Sequence, residues 1–430
     1  MQKPYKQRSI GDHELSPETL MMGYAYSPSL SEGSLKPPVF HTSTFVFQSA
    51  EEGKAFFELA YGLREKEEAE EIGLIYSRIN NPNLEVLEDR LAVWDKAEQS
   101  LVFSSGMAAI STSLWAYLRP GDVLIHSEPV YGGSEYLVHN ILPDFGIHRC
   151  CFNAEEGVAG MDVAAEQARK YISENGGRVG AIFVETPANP TNGLVDLSHA
   201  RMISDSFEKD GHRPPVMVDN TFLGPLFQTP LEHGADLSIT SLTKYVGGHS
   251  DLIAGSCSGS AEKIAPVQVM RTILGTMADP QTGWMLMRSL ETLKLRMEAS
   301  TEGAKKVAAF LRDHDKVDAV WFLDDLPGDH SDRVIFERQC KSAGSTFSFE
   351  VKGGEAEAFR VLNALKIIKL AVSLGGTETL ASHPAAMTHS DVPPAERDRL
   401  GIKDSLIRIS VGVENPADLI ADLAQALESI

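Results

Sequence analysis

No run of eighteen apolar residues occurs in this sequence, which removes a transmembrane helix from consideration. Cysteine is scarce as well. The four thiols, Cys150, Cys151, Cys257 and Cys340, include one adjacent pair and show no CxxC or Cys/His ligand spacing. Neither a disulfide framework nor a bound metal is therefore expected. Basic charge is also short: 39 Lys and Arg face 60 Asp and Glu, for a net charge of −21. That deficit argues against a nucleic acid or an anionic membrane as partner. It still allows an anionic small molecule held by a few local cations. The opening Met1-Gln2-Lys3-Pro4 is followed by no apolar core, so no secretory signal is expected. Free thiols suit a reducing compartment, and a cytoplasmic protein is the default expectation. No GxGxxG follows a strand-like run, which disfavours a dinucleotide-dependent dehydrogenase.

What is present is ordinary globular composition at a length of 430 residues, too long for one core and suited to two domains. Residues 1 to about 50, rich in Ser, Pro and Gly, read as an extended arm. A helix-forming stretch follows to Glu71, carrying the charges of 64–71 on a solvated face. We place the arm at 1–79, an α/β domain at 80–295 and a smaller α+β domain at 296–430. In the second segment, short apolar runs at 100–103, 123–126, 181–185, 216–219 and 237–240 predict strands. Helical spacing at 85–94, 106–118, 163–174 and 197–207 alternates with them. That alternation predicts a mainly parallel sheet, whose ligands sit beyond the carboxyl ends of the strands. The last third predicts one or two helices over 282–310, strands at 345–351 and 406–411, and a helix at 355–365.

Five motifs lie at those strand ends or in loops. Ser104-Ser105-Gly106-Met107 opens a helix, where backbone N–H groups can hold an anion or small residues can simply pack. Asp219, just past an apolar strand, can cap the next element or pair with a protonated ring nitrogen. Ser241, Thr243 and Lys244 end another strand. A lysine there is either on the surface or partly desolvated for Schiff-base chemistry. Tyr76 and Arg78 are two residues apart, which in extended chain aims both the same way. Arg408 stands alone in an apolar strand and wants a carboxylate, structural or on a substrate. Each motif alone is weak. An anion loop, an aspartate, a lysine 25 residues later, a Tyr/Arg pair and an isolated strand arginine together compose a site for pyridoxal 5′-phosphate.

The sequence from about residue 36 onward resembles the Cys/Met-metabolism family of fold-type-I pyridoxal-phosphate enzymes, which includes cystathionine γ-synthases, cystathionine γ-lyases and methionine γ-lyases. The resemblance rests on Tyr76-Ser77-Arg78, Ser105-Gly106-Met107-Ala108-Ala109, Tyr131-Gly132-Gly133, Glu185-Thr186-Pro187-Ala188-Asn189-Pro190 and Val218-Asp219-Asn220-Thr221. It continues in Ser241-Leu242-Thr243-Lys244-Tyr245, Gly247-Gly248-His249, Val372-Ser373-Leu374-Gly375-Gly376, His383-Pro384, Met387-Thr388-His389 and Arg408-Ile409-Ser410-Val411-Gly412. It implies a large domain with a mainly parallel seven-stranded sheet and a smaller α+β C-terminal domain. It further implies that Lys244 holds the cofactor as a Schiff base and then moves protons. Asp219 would keep the pyridine nitrogen protonated and Tyr131 would stack on the ring. Gly106, Met107, Ser241 and Thr243 would bind the phosphate, joined by Tyr76 and Arg78 from a neighbouring subunit of a homotetramer, a dimer of dimers. Arg408, with Asn189 and Ser373, would bind the substrate carboxylate. Tyr131 or Tyr76 would protonate the leaving group.

Two positions mix the subfamily patterns. Gly133 stands where methionine γ-lyases carry Cys, and Val372 where cystathionine enzymes carry Glu. The expected reaction is a γ-elimination from a methionine- or homoserine-like amino acid, canavanine among the polar analogues. A γ-replacement synthase acting on an O-acylhomoserine is the alternative.

Overall fold

The computed structural model describes residues 4–66 and 73–430. Its larger part is built on a seven-stranded sheet in the order Gln99–Phe103, Gly255–Gly259, Leu237–Thr240, Val216–Asp219, Val179–Glu185, Val123–Glu128, His148–Asn153. All neighbours pair in parallel except Gly255–Gly259, which runs against both of its partners. Every residue of Val179–Glu185, Val216–Asp219 and Leu237–Thr240 is buried. Burial on both faces is the reason these segments read as continuous apolar runs rather than alternating ones. Alternate residues feed two cores. Ala181 and Phe183 pack with Met217 under Gly106–Tyr117 and Ala261–Leu274, while Ile182 and Val184 pack with Val218 under Gly157–Asn175 and Leu197–Ser206.

The chain leaves Val123–Glu128 for the edge strand His148–Asn153, then returns to the other side of Val123–Glu128 as Val179–Glu185. The ends of Val123–Glu128 and Val179–Glu185 therefore flank a topological switch point, where connections diverge and open a crevice. Residues that follow both strands line the site described below.

Expected helices at 85–94 and 106–118 are found as Pro82–Trp94 and Gly106–Tyr117. The side chain of Asn81 caps the first by accepting from the Asn83 amide, and Ser105 caps the second by accepting from the Ala108 amide. The helical reading of 282–310 resolves into two helices, Pro280–Leu290 and Leu293–Arg312. Ala50–Ala60 stops well short of the expected helix end, and residues 67–71 of the charged stretch lie outside the described residues. The N-terminal segment is less of a free arm than its composition suggests. Met21 and Tyr24 are buried in the core of this same chain, and Arg90 Nε donates to the Tyr24 carbonyl at 3.0 Å.

A second, five-stranded sheet runs Val317–Trp321, Thr346–Val351, Leu406–Ser410, Leu380–Ser382, Lys369–Leu370. Ile407 and Ile409 turn into the core, and Phe347, Phe349 and helix Pro416–Leu427 meet them there. Arg408, between them, must face the other way. That alternation aims a guanidinium from the small domain at the switch point of the large one.

The strand Gly255–Gly259 carried no apolar signal in the sequence, because neighbouring atoms leave no room for a side chain at its two glycines and the residues between them are small. A Cβ on Gly255 would stand 2.3 Å from the Ser105 carbonyl oxygen and 2.8 Å from Gly106 Cα, all backbone. Gly255→Ala should therefore push the loop that opens helix Gly106–Tyr117 and destabilise the fold by about 1–3 kcal/mol, the usual cost of overpacking. A denaturant titration that moves the midpoint at constant m-value would show it; a change under about 0.5 kcal/mol would mean that the loop gives way freely.

Candidate active site

At the carboxyl ends of the central strands the chain encloses a cavity of about 240 Å³. Its lining gathers Gly106, Met107, Tyr131, Asn189, Asp219, Ser241, Thr243, Lys244, Val372 and Arg408, all singled out from sequence, beside Ser105, Glu185, Thr221 and several apolar residues. Ser373 meets the same space through Lys244, whose Nζ donates to its Oγ at 3.1 Å. Tyr76 and Arg78 do not line it. Tyr76 is 41% exposed, and the Arg78 guanidinium lies over its ring at 5.7 Å and donates to the Thr272 carbonyl.

Asp219 ends its strand almost fully buried. Its Oδ1 accepts from the Thr221 hydroxyl at 2.6 Å and from the Thr221 amide at 3.1 Å. Burial pushes this carboxyl up, and the two Thr221 hydrogen bonds and the nearby Lys244 ammonium partly offset that. Thr221 Oγ1 in turn accepts from the Ser241 amide at 2.9 Å, so one hydroxyl ties the aspartate to the lysine-bearing loop. Glu185, the register partner of Asp219 on the adjacent strand, is buried too. Its oxygens accept from the Tyr131 amide at 2.7 Å and the Asn189 amide at 3.0 Å, bridging the two sides of the switch point. Burial and then Asp219 push the Glu185 carboxyl well up. Two carboxylates this deep need positive charge from outside.

Two basic groups face them. Lys244 is held below the ordinary lysine range, by burial first and then by Arg408. A larger fraction of it is thereby an uncharged, nucleophilic amine. Burial pushes Arg408 down to about 10. Its Nη1 donates to Asn189 Oδ1 at 3.0 Å, and Nη2 to the carbonyls of Val372 at 2.8 Å and Ser373 at 3.2 Å. Among the described residues no carboxylate forms an ion pair with it. A buried guanidinium positioned by neutral acceptors is ready for a ligand carboxylate.

The third part is an anion cradle. Helix Gly106–Tyr117 points its N-terminus at the cavity, and a Cβ on Gly106 would come 2.8 Å from Ser241 Cβ. Glycine lets that amide approach the Ser241 loop, and unpaired N–H groups at a helix start attract negative charge. The Thr243 hydroxyl is occupied, donating to the Ala254 carbonyl at 3.2 Å and accepting from its amide at 3.0 Å.

A desolvated lysine, a buried aspartate, a helix N-terminus and a buried arginine held by neutral acceptors surround one cavity, the set of groups an enzyme of the pyridoxal-phosphate class requires. The sequence model of the family described as Cys/Met metabolism PLP-dependent enzyme matches residues 18–428. An L-methionine gamma-lyase of Fusobacterium nucleatum subsp. polymorphum is 39% identical over 405 residues, covering 93% of this chain and 94% of that one. A cystathionine gamma-lyase of Bacillus subtilis is 34% identical, covering 96% and 99%. The crystal structure of cystathionine gamma synthase from Xanthomonas oryzae pv. oryzae in complex with cystathionine superposes with a TM-score of 0.83 at 29% identity, covering 96% and 98%. The chain belongs to the Cys/Met metabolism PLP-dependent enzyme family, with the fold-type-I architecture and pyridoxal phosphate as cofactor.

The residues present fit that cofactor, since the buried Asp219 forms no salt bridge among the described residues and the cradle at Gly106 is open to an anion. Sequence reasoning passed over Glu185 and Thr221 as site residues. Both stood in quoted motifs, and the carboxyl end of a buried strand was the available signal for Glu185. Lys244→Ala should leave a folded protein that retains no cofactor after borohydride treatment and denaturation. Label found on the peptide of another lysine would reassign the attachment.

Proposed function

We propose that the chain eliminates the γ-substituent of a methionine- or homoserine-like amino acid, releasing a 2-oxo acid and ammonia. The observation that carries this reading is the chemistry of the cavity wall. Apart from Glu185 and Asp219, both engaged at the strand ends, the described lining holds no carboxylate, and its apolar part is Met107, Ile110, Phe222, Ile253, Val372 and Leu374. An uncharged thioether or acyl arm suits that wall, whereas a distal ammonium finds no free carboxylate. The relatives support the same direction, since six curated proteins named L-methionine gamma-lyase match at 35–39% identity.

In this reading Arg408 and Asn189 hold the substrate carboxylate and orient its Cα hydrogen toward Lys244. Bound pyridoxal phosphate supplies the electron sink for negative charge that develops on the substrate carbons. Asp219 keeps the cofactor ring nitrogen protonated, and Thr221 fixes the carboxylate that does so. The Lys244 amine takes the Cα proton and returns protons later, with Ser373 Oγ holding Nζ in place between transfers. Tyr131, 43% exposed at the mouth, donates a proton to the departing γ-group. Gly106, Met107 and Ser241 hold the cofactor phosphate. Tyr76 and Arg78, outside this chain's own cavity, reach the phosphate of a neighbouring subunit in a homotetramer.

Val372 decides between substrates. A charge-assisted hydrogen bond that Glu at this position would make to a distal ammonium is absent, at a cost of about 1.5–3 kcal/mol, or roughly ten- to a hundredfold in kcat/KM. We expect methionine or an O-acylhomoserine to outrun cystathionine by that margin, with canavanine behind them, and Val372→Glu to narrow the gap. The assay follows 2-oxo acid release over that panel, with and without cysteine. Net formation of cystathionine from an O-acylhomoserine, faster than 2-oxobutanoate release, would replace the lyase by the γ-replacement synthase.

A further inference from the structure

Away from the cofactor cavity, the sheet carries a second cluster of ligand-type side chains. His126 and Glu128, two apart on Val123–Glu128, project from one face. Cys151, on the parallel edge strand, is the register partner of His126 and so points the same way. Glu135 and His139 are brought to the same place by helix Gly132–Tyr136 and the π-helical turn Leu137–Ile141. Such turns recur at functional sites. One ligand atom each of His126, Glu128 and Cys151 lies within 4.8 Å of the others, and the same holds for Glu128, Glu135 and His139. The cluster opens on a cavity of about 760 Å³ lined by Glu128, Glu135, His139, Arg149 and Cys151.

The second observation is an orphaned imidazole nitrogen. His126 is completely buried. Its Nδ1 sits 3.1 Å from the Ser127 carbonyl, which can only accept, so Nδ1 carries the hydrogen and Nε2 is a bare lone pair. Nε2 is buried without any hydrogen-bond partner, an arrangement that costs stability unless something binds there.

We propose that His126 Nε2, Glu128 Oε1 and Cys151 Sγ form a site for a divalent transition metal of the zinc type, completed by a water from the cavity. A metal-binding imidazole typically donates its other N–H to a carbonyl or carboxylate, as His126 does. Nitrogen, sulfur and carboxylate donors together select zinc-like ions over calcium or magnesium. Tetrahedral zinc places its ligand atoms about 3.3–3.8 Å apart, and the three donors already lie within 4.8 Å of one another. A thiolate and a carboxylate balance a doubly charged cation. Arg399 donates to Glu128 Oε2 and leaves Oε1 for the ion. Burial keeps His126 neutral, pushing it down to about 4. Burial and then Glu128 push the Cys151 thiol up to about 12, so metal binding releases that proton to solvent. The proposal departs from the expectation, drawn from cysteine spacing, that the chain holds no metal.

The test is a titration of chelator-treated holoenzyme with Co²⁺, followed by competition with Zn²⁺. Wild type, Cys151→Ser and His126→Gln are compared, each accepted as folded by its cofactor absorption. Expected are one cobalt per chain, a thiolate-to-cobalt charge-transfer band with the visible bands of a tetrahedral site, and displacement by Zn²⁺. Cys151→Ser should lose the charge-transfer band, and each variant should bind at least about tenfold more weakly. Zn²⁺ should also shield Cys151 of the wild type from alkylation, a readout that needs no variant. A wild type with reduced Cys151 that shows neither band nor shielding overturns the proposal. So does a charge-transfer band that survives in Cys151→Ser.

Discussion

The active site depends on one electrostatic debt: Asp219 is a carboxyl at the end of a buried strand, held by Thr221 hydrogen bonds, with Lys244 nearby but no salt bridge to it among the described residues. Removing an ion from water costs several kcal/mol unless a partner of opposite charge is supplied. A protonated pyridine nitrogen is such a partner, and the other parts of the site serve its placement. Thr221 fixes the carboxylate and, through the Ser241 amide, the loop that carries Lys244. Glu185 joins Tyr131 to Asn189 and so connects the group that would cover the ring with the group that positions Arg408.

The two sheets divide this task. Parallel strands of the large sheet end together at the switch point, which collects Tyr131, Glu185, Asp219 and Lys244 from four separate stretches of chain. The small sheet contributes Arg408 by simple strand alternation, Ile407 and Ile409 inward and the guanidinium outward. Because Arg408 is bonded to Asn189 of one domain and to the carbonyls of Val372 and Ser373 in the other, a shift between domains would be felt at its guanidinium.

How much of this was legible depended on the kind of signal each element sends. Strands buried on both faces, such as Ala181–Glu185 and Val216–Asp219, announce themselves as apolar runs, and capped helices such as Gly106–Tyr117 carry their own start. Gly255–Gly259 sends no such signal, because close neighbours forbid side chains at its two glycines and its other residues are Ser and Cys. His148–Asn153 interrupts its apolar residues with His148, Arg149 and Asn153, as an edge strand can. Lys244, Asp219 and Arg408 were legible as strand-end chemistry in combination. Glu185 was harder, since its role lies in linking two loops far apart in sequence. The His126, Glu128 and Cys151 cluster was invisible for the same reason. Its donors meet through the register of two parallel strands, which no spacing motif records.

The central claim is that the buried Asp219 charge exists to bind a cationic cofactor nitrogen, and the direct measurement is cofactor affinity in Asp219→Asn, read by equilibrium dialysis and by the absorption of the bound chromophore. Removing one partner of a buried ion pair costs about 3–5 kcal/mol, so the dissociation constant should rise by more than about a hundredfold, with turnover falling at saturating cofactor. An asparagine variant that binds pyridoxal phosphate as tightly as wild type, with unchanged turnover, would contradict the account.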